Sequence, residues 1–61
     1  MTEESLSRFA DKLTALYSAD GEIEVWLDSL EDLTALEKLF QARGCQAEVN
    51  TGKQTLWIKF A

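Results

Sequence analysis

Six of the chain's eleven carboxylates crowd one stretch: Asp20, Glu22, Glu24, Asp28, Glu31 and Asp32, with no Lys or Arg between positions 20 and 32. Clustered carboxylates can act as a general acid and base, hold a hard cation or face a basic partner. Acid–base work needs a cleft that raises the pKa of one member of a pair, and the two helices and three strands assigned below leave little volume for one. A calcium loop needs oxygen ligands at alternating positions, which the Asp20-Gly21-Glu22 turn does not continue. Zinc is excluded on ligand count, since the chain has no histidine and one cysteine.

The lone Cys45 follows a predicted helix C-terminus, where the negative end of the dipole opposes thiolate formation, and reads as a small structural residue. There is no histidine to serve as a base near neutral pH and no glycine loop to cradle phosphate. No catalytic, cofactor-binding or metal-binding residue is expected. The residues describe a non-enzymatic protein.

What remains is a solvated edge or a docking surface for something basic. Ile23, Val25 and Leu27 alternate through the acidic stretch, so a strand that turns them inward places Glu22, Glu24, Trp26 and Asp28 together on its other face. Alternate carboxylates on such a strand lie about 6.7 Å apart, and Glu31 and Asp32 carry the negative field into the next helix. Trp57 belongs to the outward alternation of the last strand. Exposed indoles are characteristic of binding surfaces.

The elements that position these residues follow from periodicity. Leu6, Phe9, Leu13, Leu16 and Tyr17 form one stripe, predicting an amphipathic helix from Thr2 to Ser18 with Thr2 as N-cap and Glu4 paired to Arg8. Asp20-Gly21 turns the chain into a strand over Glu22 to Leu27. Ser29 and Asp32 resemble a capping box opening a second helix, with Leu30, Leu33, Leu36, Leu39 and Phe40 as its buried stripe and Gly44 as its stop. Ala47 and Val49, then Leu56, Ile58 and Phe60, alternate with polar residues on either side of the turn Asn50-Thr51-Gly52-Lys53, which predicts a hairpin. The last strand is the most apolar and takes the centre. The expected fold is a two-layer α+β sandwich of order α-β-α-β-β: a three-stranded mixed sheet with its third strand central and both helices on one face.

Composition bounds the partners. Sixty-one residues, 46% hydrophobic and free of proline, make one small globular domain over 1–61 with a thin stability margin. A formal net charge of −5 opposes direct binding to nucleic acid or anionic membranes. No disulfide is possible within the chain, and no secretion signal or spanning segment is recognisable, which together favour a cytoplasmic setting. The reading that follows is an acidic protein that inhibits or modulates a basic, nucleic-acid-handling protein partner through Glu22, Glu24, Trp26, Asp28, Glu31, Asp32 and Trp57. This profile is similar to that of small acidic nucleic-acid mimics, many of them encoded by phages or mobile elements, though no shared motif marks a family. The alternatives are a homodimeric structural or adaptor module built on the Trp26 and Trp57 face, and an acidic face that is merely solvated.

Overall fold

A computed structural model describes all residues, 1–61. Helix α1 spans Glu3–Tyr17 and is followed by a short 3-10 turn, Ser18–Asp20. Strand β1 (Glu22–Trp26), helix α2 (Leu30–Ala42) and strands β2 (Gln46–Asn50) and β3 (Thr55–Lys59) complete the order. The predicted N-caps are in place, but the reciprocal half of the expected capping box is not, because the Asp32 carboxylate bonds the Met1 amine rather than the Ser29 N–H. Thr2 Oγ1 accepts the Ser5 N–H at 3.1 Å, and Ser29 Oγ accepts the Asp32 N–H at 3.2 Å. Gly44 closes α2 at φ 87, a left-handed conformation that costs glycine nothing.

The sheet order is β1-β3-β2, with the third strand central as expected. The sheet is antiparallel throughout rather than mixed. The helical connection does leave β1 and β2 running in the same direction, but β3 lies between them and opposes both, so no parallel pair forms. Both helices cover one face, where Leu6, Ala10 and Leu13 of α1 and Leu33, Leu36 and Phe40 of α2 meet Ala47, Leu56 and Ile58. Phe60 closes one end by packing edge-on against Phe40, ring centroids 5.9 Å apart.

The predicted helical stripes run past the core. Leu16, Tyr17 and Leu30 are exposed, not buried. The Arg43 guanidinium, at the C-cap of α2, bonds Asp11 Oδ1 at 2.8 Å and Ser7 Oγ at 3.3 Å, while the Met1 amine reaches Asp32 at the start of α2. The two helices therefore run side by side in the same direction. Leu16 and Tyr17, more than a turn beyond Asp11, overhang the end of α2, and Leu30 occupies the first position of α2 before the core begins.

The hairpin turn does not place its glycine in the left-handed conformation. Asn50 Oδ1 accepts the Lys53 N–H at 3.0 Å, but the left-handed residue is Gln54, at φ 57, rather than Gly52. Gln54 then spends its side chain on the neighbouring connection, donating from Nε2 to the Leu27 carbonyl at 2.8 Å. This bond ties the β2–β3 turn to the segment that leaves β1.

Candidate functional site

The sheet face opposite the helices carries nine side chains in a three-by-three array, because the strands alternate in phase. The register sets Glu22, Lys59 and Gln46 in one row, Glu24, Trp57 and Glu48 in the next, and Trp26, Thr55 and Asn50 in the third. No helix covers this face. Trp57 is half-buried at its centre, and Trp26, on the edge strand, keeps 64% of its surface exposed.

The middle row has the most defined chemistry. Neighbouring strands lie about 4.8 Å apart, so Glu24 and Glu48 flank the Trp57 indole with their backbones roughly 10 Å from each other. Thr55 Oγ1 donates to Glu24 Oε2 at 3.2 Å, holding that carboxylate over β3. Beside the ring an open depression of about 400 Å³ is lined by Glu24, Glu48, Val49, Asn50, Thr51 and Trp57. An aromatic face between two carboxylates is suited to a guanidinium or ammonium, which the ring quadrupole attracts from one direction and the carboxylates from two others.

The site residues read from the sequence divide here. Glu22, Glu24, Trp26 and Trp57 share the outer face as expected. Asp28 does not: β1 ends at Trp26, and Asp28 lies in the connection to α2, outside the ladder. Glu31 is exposed in the first turn of α2. Asp32, beside it, is engaged, its carboxylate lying 3.1 Å from the Met1 amine. Glu48 was missing from the sequence-based set and is central. Its signal was present in the alternation Gln46, Glu48, Asn50, which, combined with a central β3, sets Glu48 across from Trp57.

The charges on this face are largely uncompensated. Ion pairs join Met1 to Asp32, Glu4 to Arg8 and Asp11 to Arg43, and none involves Glu22, Glu24 or Glu48. Lys59 sits opposite Glu22 without closing to ion-pair distance. No three acidic or cysteine side chains converge closely enough to hold a metal ion, and no helix is long and apolar enough to cross a membrane. Comparison of the chain with protein-family models, curated proteins and solved structures finds no match.

Proposed function

We propose that this chain is a non-enzymatic binding protein whose outer sheet face takes a basic surface of another protein, of the kind that nucleic-acid-handling proteins turn toward phosphates. The observation that supports this reading is the uncovered middle row, Glu24–Trp57–Glu48, with Glu22 and Trp26 beside it and one lysine on the face. A cationic side chain laid over Trp57 meets two carboxylates. By occupying such a surface the chain would compete with nucleic acid for it, which makes inhibition or modulation the functional consequence.

The test uses octa-arginine as a minimal basic surface, with tryptophan fluorescence as the readout. Binding should weaken steeply between 0.15 M and 1 M salt, since the screening length falls from about 8 Å to about 3 Å. A short DNA duplex should be displaced from the peptide by the protein. The triple variant Glu22→Lys, Glu24→Lys and Glu48→Lys should keep its fold, because all three side chains leave the core, and should lose the peptide. Equal binding by wild type and triple variant overturns the reading, and so does affinity that ignores salt. Stacking of Trp26 and Trp57 in a homodimer would instead bring Glu22, Glu24 and Glu48 toward their own copies. Sedimentation showing a dimer that Trp57→Ala dissociates would replace the basic-partner reading with the adaptor one.

A further inference from the structure

The two edges of the sheet are unequal. That of β2 is partly covered by α2: the Val49 N–H donates to Glu37 Oε2 at 2.9 Å, and Gln41 Nε2 donates to the Ala47 carbonyl at 3.0 Å, which engages two of the four backbone groups that Ala47 and Val49 turn outward. That of β1 is open. The Phe60 N–H bonds the Gly21 carbonyl at 2.9 Å, and because bonds alternate along an antiparallel pair, the same phase directs the backbone groups of Ile23 and Val25 toward β3. Those of Glu22, Glu24 and Trp26 then point away from the sheet, and no group of the chain bonds them. The apolar layer thins at the same place, for Ile23 and Val25 are only half-buried while Leu56 and Ile58 are fully covered.

We propose that the open edge of β1 receives an extended basic segment of another protein as a fourth, antiparallel strand. Residues directly opposite Glu22 and Glu24 would be Lys or Arg, and those between them apolar, extending the inner layer beside Ile23 and Val25. The proposal rests on the basic-partner reading and deepens it by naming the form the partner takes. Charge decides against a second copy of this chain as the occupant. The antiparallel register that uses all three outward residues sets Glu24 across from Glu24 of the copy, and like charges directly opposite one another are destabilising.

The geometry makes a sharp demand on the added strand. Residues opposite Glu22 and Glu24 place their side chains on the same outer face and turn their own N–H groups toward β1. The probe is a capped heptapeptide alternating Lys and Val with Lys at both ends, compared with two twins of equal charge, one N-methylated at its lysines and the other at its valines. Methylation at lysine blocks the bonding edge and should weaken binding roughly tenfold or more against the valine-methylated twin, as expected for lost and unsatisfied backbone bonds. On addition of the unmodified peptide, the amides of Glu22, Glu24 and Trp26 should gain protection from hydrogen exchange, with those of Ile23 and Val25 unchanged.

On the protein side, Glu24→Pro should bind the peptide more weakly than Glu24→Gln. Both lose the charge, but only proline removes the outward N–H, at an edge position where it breaks no bond of the sheet. Should Glu24→Pro fail to fold, the peptide twins decide alone. Equal affinity of the twins overturns strand addition while leaving the acidic-face reading intact, provided that binding still falls with salt. Binding by none of the three peptides overturns both. A protein dimer abolished by Glu24→Pro would show that the edge is filled by self-pairing and refute the foreign strand.

Discussion

Replacing Glu37 by alanine should remove one of the two bonds by which α2 covers the β2 edge, and with it a substantial fraction of the stability. The carboxylate accepts the Val49 N–H at 2.9 Å from a half-buried position on α2. A hydrogen bond to a charged group contributes about 1.5–3 kcal/mol net, but Val49 is itself half-exposed and water can reach its freed N–H, so about 1–2 kcal/mol is the appropriate range. A domain of this length is stable by roughly 3–9 kcal/mol and unfolds with an entropy of about 130 cal/mol/K, so each kcal/mol is worth about 8 °C. Glu37→Ala should therefore melt about 8–16 °C below wild type. Glu37→Gln retains an acceptor oxygen and loses only the charge assistance, and should fall about half as far. Circular dichroism supplies the melting curves, and hydrogen exchange at the Val49 amide reports the bond itself. Lys38→Ala, on the exposed side of the same helix, controls for substitution at the surface. A Glu37→Ala melt within about 3 °C of wild type, or an unchanged Val49 exchange rate, would refute the assignment of this edge bond to the carboxylate.

Two further predictions concern left-handed positions. Gly44→Ala should destabilise by about 1–2 kcal/mol in urea denaturation, a purely conformational cost because nothing lies within 4 Å of the added methyl. Gln54→Ala should cost about 1 kcal/mol through loss of the bond to the Leu27 carbonyl, whereas Gln54→Gly, which loses the same bond but relieves the φ of 57, should be the more stable of the two. The reverse order would mean that the backbone at position 54 leaves the left-handed region once its side-chain bond is gone.

What could be read from the sequence was local, and what could not was set across elements. The caps at Thr2 and Ser29 and the stop at Gly44 depend on neighbours within a few residues, and all three stand where the residue types place them. The central place of β3 was legible because Leu56 and Ile58 sit in its most apolar run. Helical periodicity gives the direction of a face but not where the facing element ends, which is why Leu16, Tyr17 and Leu30 follow the stripe and remain exposed. The candidate site shifted for a related reason. Charge density along the chain peaks between Asp20 and Asp32, but density on the folded surface is set by register, which brings in Glu48 from another strand and leaves out Asp28. The bonds from Glu37 to Val49 and from Gln54 to Leu27 join side chain to distant backbone and have no signature in a local window.

A sheet obstructed along one edge and open along the other has a valence of one. A unit with two free edges can be extended in both directions, and its association by strand addition has no natural end. Here the α2 side chains obstruct one direction, so addition at β1 would stop at a single partner, and two copies joined edge to edge would present only obstructed sides outward. Against a growing stack of strands such a molecule would act as a terminator. The Glu37 and Gln41 side chains would thus limit the size of any assembly the chain entered by this route, whatever occupied the other side.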